Sequence, residues 1–275
     1  PEYEMLRSLV GSEMCIRDSH HYLFLPAMRL GINKEFKLPD YIPTRGHLTL
    51  ESKKISKSRN WYIGLKEFLE IFPADYLRFY LISINPYSQD DLNFDWDQFA
   101  TKINSELIGN LGNLVNRALG FTNKAFDGIL PEPEDFDEKD YESEKKIKSL
   151  PDDISKLMVD NHLDRALKQI FEFSAHFNQY FQHKEPWKKG PGTSTCIWLS
   201  VNAVRTLAIA IHSFLPKASQ QIWEQVGMDG NVSDINWNDM SKDNLKAGHK
   251  IGKIEPLFAK IESSVIDEQK AKLGD

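Results

Sequence analysis

Residues 51–61 read ESKKISKSRNW, where Lys53, Lys54, Lys57 and Arg59 stand among serines with no acid after Glu51. A loop that holds phosphate needs ammonium donors on flexible stems, hydroxyls, and a backbone free to close over the charge. Lys54, Ser56, Lys57 and Ser58 supply these within five residues. A lysine beside a leaving phosphate stabilises charge that grows in the transition state, which is where a contact accelerates reaction. The competing reading is a solvated charge run, the commoner fate of short lysine clusters, and composition alone favours it.

Asn113 and Arg117 stand four residues apart in GNLGNLVNRALGFTNKAFDG. On a helix both would leave one face, away from the Leu111 and Leu114 stripe. An amide beside a guanidinium can hydrogen-bond the edge of an unpaired base and stack on it; an exposed polar pair serving only solubility is the alternative. Trp187 lies between Pro186 and Lys188 in NQYFQHKEPWKKG. There the ring could stack on a splayed base while the ammoniums meet phosphates, or pack the rim of a helical bundle. Trp96, Trp198, Trp223 and Trp237 lack such a setting and read as packing residues. His21 borders an apolar run, where a structural role competes with ligand binding. The other histidines show no metal-ligand spacing.

These residues need elements to hold them. HHYLFLPAMRLG (20–31) is apolar and reads as a buried helix or its end, and KLPDYIPTRGHLTL leads through a turn into a short strand. The lysine-serine stretch reads as a loop. Leu65, Phe68, Leu69 and Phe72 recur at helical spacing until Pro73 stops them, and ADYLRFYLISI is another helix. Asp95, with Gln98 three residues on, is an N-cap; Phe99, Ile103, Leu107, Leu111, Leu114 and Ala118 then form one long stripe. PEPEDFDEKDYESEKK reads as an acidic loop leading into a modest helix. A third amphipathic helix follows from Leu163 to Phe177, and KKGPGTS breaks the chain. The nearly all-round apolar stretch from Trp198 to Ile211 belongs at a bundle's centre, and Pro216 ends it. The fold class is therefore mainly α, with an antiparallel helical bundle behind a smaller α/β portion.

The net charge of −6 confines any nucleic-acid contact to a few local basic residues on an acidic body. Cys15 and Cys196 make neither a zinc knuckle nor a disulfide framework, which fits a reducing, cytoplasmic compartment. No stretch reads as a membrane span or secretory signal. PEYEMLRSLVGSEMCIRDS has neither strand alternation nor a sustained helical stripe, so residues 1–19 are read as a non-native leader.

KISKS resembles the KMSKS motif of class I aminoacyl-tRNA synthetases, and GHLTLESKKISKSRNW resembles its methionyl-tRNA synthetase form. The Asn113–Arg117 helix with its following Gly-Phe, the Pro186-Trp187 pair, and KAGHKIGKIEPLFAKIE resemble the same family. The resemblance implies a small remnant of a class I, Rossmann-type catalytic domain at 20–96 and an anticodon-binding helical bundle at 97–240. A C-terminal extension or linker at 241–275 completes the expected organisation. Lys57 would contact ATP, with Lys54, Ser56 and Ser58 shaping the catalytic loop. Asn113, Arg117 and Trp187 would read a CAU anticodon. His21 would match the histidine of the methionine pocket, although His20 and Leu25 replace the aromatics of that F-H-x-x-x-W-P frame. The implied reaction is ATP-dependent activation of methionine and its transfer to tRNA(Met). ATP would come with Mg2+, and neither the H-x-G-H histidines nor the family's zinc-binding domain is expected in this chain. An isolated chain of this kind would bind the anticodon stem-loop without forming adenylate. The alternatives are a non-catalytic RNA-binding module and another class I synthetase of leucyl, valyl or cysteinyl type.

Overall fold

The computed structural model describes residues 18–40, 45–88, 90–240 and 244–274. The leader expected at 1–19 lies outside these residues except for its last two, as does Cys15. The chain divides into two compact units, residues 1–44 and 45–275.

In the first unit a π-helical turn, Asp18–Phe24, runs into helix α1, Leu25–Ile32, with Pro26 in its first turn. The expectation of a buried helix fails here. No residue of α1 is buried, and Met28 and Ile32 are 62% and 77% exposed. Apolar composition says which surface seeks cover, but burial needs a partner surface, and the described residues of this unit supply none.

The second unit opens with a three-stranded sheet of β1 (Leu48–Leu50), β2 (Lys53–Lys54) and β3 (Leu92–Phe94). Strand β1 is central, antiparallel to β2 and parallel to β3. Leu50 pairs with Lys53, which leaves Glu51 and Ser52 as a two-residue hairpin turn with φ of 48° and 61°. Such turns require positive φ and usually take glycine or asparagine. Here three contacts offset the strain. The Glu51 N–H donates to the Phe94 carbonyl (2.9 Å), and Ser52 N–H donates to Asn93 Oδ1 (2.7 Å). The Glu51 carboxylate accepts from Trp96 N–H (2.8 Å), so the hairpin is fastened to the first turn of the next long helix.

Helices α2 (Leu65–Ile71) and α3 (Ala74–Ser83) follow, and Tyr80 of α3 meets Phe94 of β3 edge-on at 5.1 Å. Phe68 and Phe72 are buried as the spacing predicts, whereas Leu65 and Leu69 are 60% and 46% exposed. A seven-residue helix stopped by proline buries one narrow face only. Phe68, Phe72, Tyr80, Phe94, Trp96 and Phe99 form a ring cluster with neighbouring centroids between 5.0 and 6.1 Å, welding sheet to bundle.

The first bundle rod comprises α4 (Trp96–Lys102), a π-helical stretch (Ile103–Gly112) and α5 (Asn113–Phe126). The Asp95 carboxylate caps it by accepting from Gln98 N–H at 2.8 Å. Phe99, Ile103, Leu107, Leu111, Leu114 and Ala118 are all buried. Helix α6 (Glu138–Val159) corrects the sequence expectation. The charged stretch DEKDYESEKK is largely helical, begun by a capping box between Asp137 and Asp140. Asp140, Ser143, Ile147, Leu150 and Ile154 lie three and four residues apart and face inward.

Helix α7 (Leu163–Lys184) packs against α6 and α8 (Thr193–Ile211). Every residue of α8 from Thr195 to Ile211 is buried. Its length and apolarity would suit a membrane span, but it lies inside the bundle. Burial pushes the Cys196 thiol up to about 12, which makes it a packing group. Helix α9 (Pro216–Val226) starts on a proline, and Asp75 Oδ2 accepts from its Ala218 N–H at 2.8 Å. The stretch from 244 onward folds back on this body. Ile251, Ile261 and Ile266 are buried, and α10 (Ser263–Ala271) lies along α4 with Lys270 Nζ 2.5 Å from Asp97.

Candidate phosphate loop and nucleic-acid interface

The lysine-serine loop has more local structure than its composition suggests. Ser56 and Trp61 exchange backbone hydrogen bonds of 2.8 and 2.9 Å, and Lys57–Arg59 form one 3-10 turn between them. The turn closes on Asn60, which adopts a left-handed conformation (φ 54°) that asparagine tolerates. Trp61 Nε1 donates to the Leu50 carbonyl (2.8 Å), and its ring lies 4.2 Å from Lys53 Nζ. Ser56 and Ser58 hydroxyls meet at 3.2 Å. The Lys57 side chain is exposed and makes no hydrogen bond or ion pair among the described residues. One ammonium and two hydroxyls are thus presented on a closed turn, a donor set that suits a polyphosphate.

A connection across 212 positions holds this turn. Asn60 Nδ2 donates to the Lys272 carbonyl (3.0 Å), and Gly274 N–H donates to the Asn60 carbonyl (3.0 Å). A Cβ at Gly274 would collide with the Arg59 carbonyl, so the close approach needs glycine. Replacing Asn60 by glycine keeps the left-handed backbone and removes only the side-chain bond. A bond of that kind is worth about 1 kcal/mol. Amide exchange at Ser56 and Trp61 is therefore expected to quicken by about fivefold in Asn60→Gly, measured by hydrogen exchange. Unchanged exchange would mean that the tail does not restrain the loop.

Asn113, Arg117 and Trp187 come together, although 74 positions separate the first from the last. Asn113 Nδ2 donates to Asn178 Oδ1 (2.9 Å), and Asn178 Nδ2 donates to the Asn110 carbonyl (2.9 Å). Arg117 donates to Gln182 Oε1 (3.0 Å), and its guanidinium carbon lies 4.8 Å from the Phe181 ring centroid and 5.9 Å from that of Trp187. Burial lowers the Arg117 pKa from its ordinary value. Trp187 is 43% exposed, tilted 36° against Phe181 at 6.4 Å. Its position is fixed by the single turn Pro186–Lys188, flanked by Glu185 and Lys189 at φ of 44° and 52°. The result is an exposed indole face beside a planar cation and an amide edge, a combination able to stack a base and hydrogen-bond its rim.

Asn178, Phe181 and Gln182 escaped the sequence reading. Asn178 and Gln182 repeat on α7 the four-residue spacing of Asn113 and Arg117, and that matched pair of polar positions was the available signal. His21 lies in the first unit, with Leu25, Pro26, Arg29 and Leu38 around a cavity of about 500 Å3. Among the described residues no group of three or more His, Cys, Asp or Glu could hold a metal ion.

A family model described as class I tRNA synthetases (M) matches residues 5–119. A second, described as the anticodon binding domain of methionyl tRNA ligase, matches residues 130–275, more than half of the chain. Methionine–tRNA ligase of Pyrococcus horikoshii is 40% identical over 261 residues, covering 90% of this chain and 35% of that protein. The Pyrococcus furiosus enzyme is 41% identical over 252 residues, covering 87% and 34%. The chain therefore spans about a third of the length of the curated relatives it matches. The Mycobacterium tuberculosis methionyl-tRNA synthetase in complex with methionyl-adenylate shares the fold, with a TM-score of 0.76 at 24% identity over 88% of this chain and 48% of that one. The motifs, the bundle and these matches agree: the chain belongs to the methionyl-tRNA synthetase family of class I tRNA synthetases.

Proposed function

We propose that this chain is the anticodon-reading part, together with the KISKS loop, of a methionine–tRNA ligase. The parent reaction activates methionine with ATP and transfers it to tRNA(Met). The observation that carries the reading is the meeting of Asn113, Arg117 and Trp187 on one exposed surface. There a splayed base of a CAU loop would lie on the Trp187 ring with its edge toward Asn113 and Arg117.

Within this reading Lys57, Ser56 and Ser58 bind the ATP phosphates. When the methionine carboxylate attacks the α-phosphorus, negative charge grows on the departing pyrophosphate, and the Lys57 ammonium stabilises it there. Magnesium would arrive with the nucleotide and neutralise phosphate charge. Lys54 and the Ser56–Trp61 bridge set the shape of the loop. His21 would contribute to the methionine pocket.

The sequence contains no H-x-G-H run, and catalysis assembled from converging groups collapses when part of the set is missing. The 275-residue chain alone should therefore show no methionine-dependent exchange of pyrophosphate into ATP, while binding a CAU stem-loop. Asn113→Ala should weaken that binding by about tenfold, the scale of one good base contact. Measurable exchange would remove the division of labour, and an Asn113→Ala chain that binds like the parent would remove the assigned surface.

A further inference from the structure

Trp187 stands on the connection 185–192 between α7 and α8. Along it Glu185 and Lys189 take φ of 44° and 52°, and Gly192 takes 77°. Left-handed backbone at residues other than glycine persists where the surroundings over-determine it. The bonds inside the connection are local. The Lys188 and Lys189 N–H groups donate to the Glu185 and Pro186 carbonyls, and Lys188 pairs with Glu185 at 2.5 Å on the surface. These close a turn but do not orient it on the bundle, so its orientation must come from its two ends.

Both ends rest on one segment, 134–140, which leads into the first turn of α6. At the first end Lys184 closes α7, with its ammonium 2.8 Å from Asp137 Oδ2 and 2.7 Å from the Asp140 carboxylate. Asp140 is fully buried and the Lys184 side chain is 11% exposed, so solvent screens this pair little. At the second end the buried Thr195 hydroxyl, in the first turn of α8, accepts from the Glu134 N–H at 2.8 Å and donates to the Glu134 carbonyl. The two ends also meet each other. A Cβ built on Gly192 would lie 3.8 Å from Lys184 Nζ and 3.7 Å from the Asp135 carbonyl. The connection thus leaves and returns beside one ammonium, and carries the Trp187 ring between.

We propose that Lys184 is a positioning residue for base recognition: held by Asp137 and Asp140, it sets the tilt of the Trp187 ring beside Arg117, and with it the preference of the surface for its RNA loop. The proposal rests on the RNA reading above and adds to it a residue that touches no base. A ring free to tilt must lose that freedom when a base stacks on it, which weakens the stack. Stability alone would not call for this cluster, since a buried ion pair exchanged whole for neutral groups is often no loss.

The test uses the full 275-residue chain labelled with 5-fluorotryptophan, the Trp187 resonance being assigned by its loss in Trp187→Phe. Two variants accompany the parent. Lys184→Met removes the tether and leaves Asp140 charged and buried. Lys184→Met/Asp140→Asn removes the tether and that charge together, so its melting temperature should recover most of what the single variant loses. At a temperature where each chain is folded, both variants should shift or broaden the Trp187 resonance, while those of Trp61, Trp96 and Trp223 stay in place. Both should also lose about fivefold of the preference for a CAU stem-loop over a scrambled one. The proposal is overturned by an unmoved Trp187 resonance, by an unchanged preference, or by a preference that recovers with the melting temperature in the double variant. A parent chain that binds no CAU stem-loop overturns the RNA reading instead, and the resonance still decides whether Lys184 holds the ring.

Discussion

Asp140→Ala should lower the stability of the bundle by about 3–5 kcal/mol, the cost of breaking a buried ion pair by removing one partner. Asp140 is fully buried at the start of α6. Its carboxylate accepts from the Tyr180 hydroxyl (2.5 Å), from Lys184 Nζ (2.7 Å) and from the Asp137 N–H (2.8 Å). Alanine would leave the buried Tyr180 phenol without its acceptor and take from Lys184, whose side chain is 11% exposed, the buried one of its two carboxylate partners. The thermal midpoint should fall by roughly 10 °C. Asp140→Asn, which keeps an acceptor for Tyr180, should fall less.

The pH dependence of this cluster follows from two opposite shifts. Hydrogen bonding to Lys184 lowers the Asp137 carboxyl, so its contribution is present above the ordinary carboxylate range and is lost as pH falls through the lowered value. Burial alone would lower Lys184, but its hydrogen bonds to Asp137 and Asp140 outweigh that and raise it. Its contribution is then present below the ordinary lysine value and is lost only as pH rises past the raised one. Burial raises Tyr180, which keeps it a donor. The contribution of the cluster should therefore stay flat across the neutral range. The consequence reaches the surface, since Lys184 is the last residue of α7 before the turn that carries Trp187.

The second large effect is on RNA. Trp187→Ala should weaken CAU stem-loop binding by about 1–3 kcal/mol, or roughly 5- to 150-fold, the scale of one base–aromatic stack. The ring is 43% exposed, so its removal should leave the melting temperature nearly unchanged. Arg117→Ala should cost a similar amount, and Arg117→Lys should rescue little of it. An ammonium has neither the plane that lies over Phe181 nor the fork that reaches Gln182. Because Arg117 lies beside the Trp187 ring, the two losses should fall short of adding in the double variant. Binding titrations at one fixed salt concentration read all three.

Much of this was written locally. The Asp95 cap, the stripe from Phe99 to Ala118, the apolar α8 and the proline start of α9 each depend on neighbours within a turn or two. Asn113, Arg117 and Trp187 could be chosen by residue type and setting. What escaped depends on distant partners. The acidic stretch around Glu138 looked like a loop because charge hid the inward positions from Asp140 to Ile154, which become visible only once α7 is there to cover them. Apolar α1 looked buried because composition does not report whether a covering surface exists. Asn178 and Gln182 were polar residues on an amphipathic helix until the fold set them under Asn113 and Arg117. The tie between Asn60 and Lys272 had no local signal at all.

The most direct measurement compares the dissociation constants of the chain for a CAU stem-loop and for the same stem with its anticodon scrambled, at one salt concentration. Basic residues around Trp187 would attract any RNA, so affinity alone decides nothing. A surface that reads bases through Asn113, Arg117 and Trp187 should prefer CAU by at least about tenfold, and Trp187→Ala should shrink the preference. Equal affinity for the two loops would contradict the account.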